Sequence, residues 1–230
     1  MRTAAILPVK RFASAKSRLG ASVEDRLRER LARAMVSDVL RALAESTTIE
    51  RTIVVTCEQS LGDTAEQHGA LMIEDTAELG QSAAVALGIA RALADGAQRV
   101  LCVPGDCPAL DPAELDALIA VSDRRASSAH VVIVPDRHGS GTNGLLLAPP
   151  EAIAPSFGAD SRARHEALAS DAGVSCALER PSSLLLDIDT GADLAALRER
   201  LGDAAGGAPL TRAVLAHTEP QQINTIVAAG

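Results

Sequence analysis

The stretch TAAILPVKRFASAKSRLG, Thr3 to Gly20, is an apolar run followed at once by a loop rich in Lys and Arg. Its first part, Thr3 to Val9, is short, apolar and closed by a polar loop, which predicts a buried strand. Ser22 followed by Asp25 reads as a helix cap with a first-turn acid. The helix it opens runs to about Ala44, with Leu27, Leu31, Met35, Val39 and Leu43 recurring every four residues. Further along, Arg51 to Thr56, Gly69 to Glu74, Arg99 to Asp106 and His130 to Asp136 read as strands. A helix from about Ser82 to Ala94 is stopped by Asp95-Gly96, and Asp111-Pro112 caps another. Strand–helix alternation over 135 residues predicts an α/β fold, a mostly parallel sheet flanked by helices on both faces.

The second half is less regular. RHGSGTNGLLL leads into a strand, a helix begins near Ser161, LLLDIDT reads as a short strand, and Thr190 caps a helix to about Leu201. Residues 1–202 thus form one domain, and 203–230 a tail rich in Gly, Ala and Pro. The apolar AVLA and NTIVAAG segments of that tail suit an interface arm packed on a second chain, as in a homodimer.

Composition excludes several classes. The net charge is −8, and Phe12 and Phe157 are the only aromatic side chains, so neither a basic nucleic-acid surface nor a stacking platform is present. Apolar runs such as Ala83 to Leu87 and Ala117 to Val121 are far too short to span a bilayer. The N-terminus has no apolar export stretch, which predicts a cytoplasmic protein with Cys57, Cys102, Cys107 and Cys176 as mostly buried, reduced thiols. Charge is unevenly placed, however. Residues 1–20 hold Arg2, Lys10, Arg11, Lys16 and Arg18 and none of the 30 acids.

Ligands of parallel α/β sheets collect at the carboxyl ends of strands, and four features fall there. Lys10 to Arg18 suits a polyphosphate, although it is neither a G-x-G-x-x-G fingerprint nor a Walker A loop. Asp106 closes a strand where a carboxylate can hold a hard cation. Asp187 and Asp189, two apart in a strand, would point to one face and converge on one cation. The loops GSGTNG and FGADSRARH offer the hydroxyls of Thr142 and Ser161, with Arg162 and Arg164 beside a helix start that could receive a second phosphate. His138 and His165 read as surface or capping residues, and no Ser-His-Asp order supports hydrolase chemistry.

Together, PVKRFASAKSRL, GDCPAL, PDRHGSGTNGLLL, FGADSRARH and LDIDTGADL resemble, in order and over roughly residues 3–201, the 2-phospholactate or phosphoenolpyruvate guanylyltransferases of coenzyme F-420 biosynthesis. The resemblance implies a nucleotidyltransferase-type domain, GT-A-like and Rossmann-like. It implies transfer of GMP from GTP to phosphoenolpyruvate, 2-phospho-L-lactate or 3-phosphoglycerate with release of pyrophosphate. By the same resemblance, Asp106, Asp187 and Asp189 hold Mg²⁺, and Thr142, Gly158 and Ser161 bind the phosphorylated three-carbon acid. The triphosphate falls to Lys10, Arg11, Lys16 and Arg18, with Asp106, Lys10 and Lys16 in the catalytic role. Relatives usually carry Gly-Leu-Asn in the region that meets the base; here it reads Gly80-Gln81-Ser82, assigned to the nucleotide by position. Two other readings stand beside this one: a related sugar-phosphate or molybdenum-cofactor nucleotidyltransferase, and a nucleotide-binding protein without catalysis.

Overall fold

Strand β1 (Thr3–Val9) carries no charge, and every residue from Thr3 to Leu7 is buried. Ala4 and Ile6 enter one layer of the core, Ala5 and Leu7 the other, as the two-residue period of a strand requires. The computed structural model, which describes residues 1–14, 24–124, 129–203 and 207–217, sets this strand inside a seven-stranded sheet. The others are β2 (Arg51–Thr56), β3 (Leu71–Glu74), β4 (Arg99–Cys102), β5 (His130–Pro135), β6 (Thr142–Ala148) and β7 (Ser175–Leu178). Their order is β3-β2-β1-β4-β6-β5-β7, parallel throughout except for β6, which runs antiparallel to β4 and β5.

Helices cover both faces. α1 (Asp25–Glu45), α2 (Gly62–Gln67) and α4 (Pro112–Asp123) pack on the Ala5–Leu7 side, α3 (Gln81–Ala94) and α5 (Ser161–Asp171) on the Ala4–Ile6 side. The four-residue stripe of α1, Leu27 to Leu43, is buried throughout. Its N-terminal part meets a third cluster formed with α6 (Gly191–Asp203) and α7 (Pro209–Ala216). Two caps are local: Asp111 accepts from the Ala113 N–H at 2.8 Å, and Thr190 and Asp193 bond each other's backbone N–H groups. Ser22 lies outside the described residues, and the position before α1 is Glu24, with no side-chain cap.

The differences from the sequence reading have physical causes. β4 ends at Cys102, although the Val103 N–H still reaches the Ile6 carbonyl; Pro104 then has no N–H to offer. LLLDIDT is no strand. After a 3₁₀ turn at Ser182–Leu184 it forms neither strand nor helix before α6; Ile188 is buried in the cluster of α1 and α6, and its N–H bonds the Asp106 carbonyl at 3.1 Å. α2 and β7 escape a pattern reading because they are short, and β7 is mostly exposed. Of the cysteines, Cys102 and Cys107 are buried, Cys57 is half-buried and Cys176 exposed, and none of the four forms a disulfide. The first part of the tail lies on its own chain. The buried Asp38 carboxylate of α1 accepts from the N–H groups of Leu210 and Thr211, at 3.1 and 2.7 Å, capping α7. Among the described residues no helix is long and apolar enough to cross a membrane.

One helix–strand contact is unusually close. A Cβ placed on Gly88 of α3 would stand 2.5 Å from Ile6 Cγ2 on the central strand. Gly88→Ala gains up to about 1 kcal/mol of helix propensity but overpacks a rigid site at a cost of about 1–3 kcal/mol. Net destabilisation is therefore expected, read as a lower urea midpoint at unchanged slope.

Candidate active site

The chain leaves β1 toward β2 on one side of the sheet and returns, after β3, to β4 on the other. Between the carboxyl ends of β1 and β4 such a switch opens a crevice. A cleft of about 760 Å³ lies there, lined just after β1 by Lys10 and from the turn after β4 by Asp106. Asp187 and Asp189 enter it from the segment before α6, Thr142 from the start of β6, and Gly158 and Ser161 from the entry to α5. Gly80 and Gln81, at the start of α3, complete the lining. Phe12 and Phe157 both line it as well, which gives the two rings of this chain a shared position.

Each carboxylate is held by its own scaffold. The Ile188 N–H on the Asp106 carbonyl ties the Asp187–Asp189 segment to the end of β4. Asn143, buried next to Thr142, donates to the Leu184 carbonyl at 2.8 Å and to Asp187 Oδ1 at 3.1 Å. Asp193 accepts from the N–H groups of Asp189 and Thr190 and pairs with Arg137. Burial and the neighbouring charges of Asp106 and Asp189 push the Asp187 carboxyl above its ordinary value, against the Asn143 bond. Among the described residues, no group of three His, Cys, Asp or Glu side chains is arranged to hold a metal ion by itself. Hard carboxylate oxygens with mutual repulsion nevertheless suit Mg²⁺, which takes one or two protein carboxylates and completes its shell with phosphate oxygens and water.

Another part of the lining offers backbone N–H groups and a cation, which suit an anion. The first turn of α3 opens on the cleft at Gly80 and Gln81, and Gly80 at the N-cap has no side chain to bond its N–H groups, leaving a positive helix end. Lys10 is exposed at the mouth. Arg11 instead forms a two-pronged bond with Glu78, at 2.9 and 3.2 Å. The start of the basic loop is anchored through Phe12, whose N–H donates to Glu58 and whose ring lies under Arg33 at 5.0 Å. Lys16 and Arg18 lie outside the described residues. Ser82 is not among the residues that line the cleft; its Oγ accepts from the Phe157 N–H at 2.8 Å, linking α3 to the loop before α5.

On the other side, Ser161 is buried at the start of α5 and Arg162 donates its N–H to the Ser140 carbonyl. Arg164 does not face the cleft's interior; its guanidinium clasps the Ser156 and Phe157 carbonyls. Gly141 answers to the loop itself, since a Cβ there would meet the Asp136 carboxylate at 2.7 Å. His138 is exposed as expected, but His165 corrects the sequence reading: it is fully buried between Thr142 and Ser156. Nothing in its own neighbourhood along the chain signals this, because both partners come from other elements. Asn143, Glu78 and Asp193 are also site residues that pattern reading passes over.

Residues 3–200 match the family described as guanylyl transferase CofC-like. The chain belongs to that family. Among its relatives, the phosphoenolpyruvate guanylyltransferase of Conexibacter woesei is 49% identical over 215 residues, covering 94% of this chain and 96% of that one. The phosphoenolpyruvate guanylyltransferase of Sphaerobacter thermophilus is 37% identical, covering 90% and 97%. A solved putative nucleotide-diphospho-sugar transferase from Desulfovibrio desulfuricans superposes with a TM-score of 0.72 over 94% of this chain and 95% of its own, at 17% identity. A cytidylyltransferase from Leptospira borgpetersenii gives 0.61 over the full length of both chains at 14% identity. These structures share the fold, and the family makes the chain a nucleotidyltransferase, as its motifs imply.

Proposed function

We propose that this chain is a cytoplasmic, Mg²⁺-dependent guanylyltransferase of coenzyme F-420 biosynthesis that joins GMP from GTP to phosphoenolpyruvate or 2-phospho-L-lactate and releases pyrophosphate. The observation that carries the reading is the make-up of one cleft. Lys10 and the start of α3, and Thr142 and the start of α5, line the same space as Asp106, Asp187 and Asp189. Two anions brought together, with carboxylates for a cation between them, are what such a transfer requires.

The acceptor needs no protein base. A phosphate monoester has its second pKa near ~6, so at neutral pH it is largely a dianion. Its oxygen forms a bond to the α-phosphorus of GTP while the bond from that phosphorus to the bridging oxygen breaks, and the electron pair leaves with pyrophosphate. The chain's task is to orient the two substrates and offset their repulsion. Lys10 and the α3 N-terminus would hold the triphosphate, and Thr142 and Ser161 the acid. Asp106 and Asp187, with Asp189, would hold Mg²⁺, which supplies charge neutralisation on phosphate oxygens.

The test is pyrophosphate release with Mg²⁺ across GTP, CTP and UTP, each with phosphoenolpyruvate, 2-phospholactate and 3-phosphoglycerate. Release with GTP and at least one acid is expected. Preference for CTP or UTP would move the chain to a related nucleotidyltransferase, and silence with every pair would remove the proposal.

A further inference from the structure

His165 is the one fully buried histidine at the cleft, and the mechanism above gives it no work. Its ring bridges two groups: Nε2 lies 2.9 Å from the Ser156 amide nitrogen, and Nδ1 lies 3.1 Å from Thr142 Oγ1. A backbone N–H can only donate, so Nε2 must accept. A neutral ring then carries its proton on Nδ1, and Nδ1–H donates to the Thr142 oxygen. With its oxygen accepting from within, the Thr142 hydroxyl is left to donate its hydrogen elsewhere, and Thr142 lines the cleft.

The opposite tautomer would reverse this. Nε2–H would oppose the Ser156 N–H, and bare Nδ1 would take the Thr142 proton, so that only lone pairs faced the cleft. An anionic oxygen would be repelled rather than bound. The surroundings keep the ring in its neutral form. The Phe157 ring stands edge-to-face with it, centroids 5.1 Å apart at 74°, and burial together with the charge of Arg164 pushes the imidazole down to about 4. We infer that His165 is a positioning residue that makes Thr142 a dedicated hydrogen-bond donor to an anionic oxygen, phosphate or carboxylate, of the acceptor acid. The nature of that ligand rests on the function proposed above; the tautomer does not.

The test has two arms. In the first, the protein free of ligand and labelled with ¹⁵N in its imidazoles is read by NMR at pH 7. A protonated Nδ1 and a bare Nε2 are expected for the buried ring, and a proton on Nε2 overturns the inference whatever the substrate is. In the second, His165→Phe, which fills the space without either bond, is expected to raise KM for phosphoenolpyruvate by about 10- to 100-fold, the range for losing a hydrogen bond to a charged group. The KM for GTP should stay within about twofold in the same assay, since no bond to the nucleotide wall is lost. His165→Asn, whose amide nitrogen can stand for Nδ1, should recover most of the loss. In a Thr142→Val background His165→Phe should add little. Equal losses for both substrates, or additive losses in the double variant, would reduce His165 to packing. If His165→Phe fails to fold, Thr142→Val against Thr142→Ser gives the same split, with only Ser retaining acid affinity. Should wild-type protein turn over no phosphorylated acid, the functional reading fails while the imidazole spectrum still decides the tautomer.

Discussion

Asp106→Asn is expected to lower kcat/KM by about 10²–10³-fold or more, the scale of removing one preorganised charge contact with a transferring phosphoryl group. The fold should be almost untouched. Asn has the same shape, and the bond that ties this turn to the Asp187–Asp189 segment uses the Asp106 backbone carbonyl, which the substitution leaves in place. Relief of repulsion with Asp187 works in the same direction. Steady-state kinetics beside a thermal melt separates the two effects: activity gone with the melting temperature unchanged or slightly higher. Activity retained near the wild-type level would take Asp106 out of the cation site and leave Asp187 and Asp189 without the partner that the cleft gives them.

What the sequence discloses depends on how far apart interacting residues lie. β1, the α1 stripe and the Asp111 and Thr190 caps were legible because each is a local pattern, a period of two or four or a bond spanning a few residues. The convergence of Lys10, Asp106, Thr142 and Ser161 followed from one rule, that ligands gather at the carboxyl ends of parallel strands. The pairs that decide individual roles were out of reach. Arg11 meets Glu78 across 67 residues and Ser82 meets Phe157 across 75, so a cation and a hydroxyl that looked free for a nucleotide already hold other parts of the chain. Asp187 and Asp189 both line the cleft, but not as parts of a strand; their segment is fixed by Ile188 in a helix-lined cluster and by Asn143 from β6. His165 was misread for the same reason, since burial is a property of what packs around a residue and not of its neighbours in the chain.

Asp187→Asn separates function from stability in the other direction. Burial raises the Asp187 carboxyl above its ordinary 3.8, and the charges of Asp106 and Asp189 raise it further. An acid that holds its proton more tightly when folded costs the folded state stability as pH rises from the ordinary value through the raised one, and that cost persists at pH 7. Asn carries no charge to bury and keeps an oxygen for the Asn143 amide, which donates at 3.1 Å in the wild-type protein. The variant without ligands should therefore melt above wild type at pH 7, and the gap should close as pH falls and the wild-type carboxyl takes up its proton. Added Mg²⁺ and GTP should reverse the order, because a ligand bound only by the folded state stabilises it by mass action and the wild type binds it better. Turnover by the variant should fall about 10²-fold or more, the loss expected when one group stabilising transferring phosphate charge is removed. A variant less stable than wild type at pH 7 without ligands would show that Asn143 and the backbone already offset the repulsion. The repulsion that the cleft maintains among its carboxylates is then the same feature that makes it receptive to a cation: stability given up in the empty site returns as affinity when charge of the opposite sign arrives.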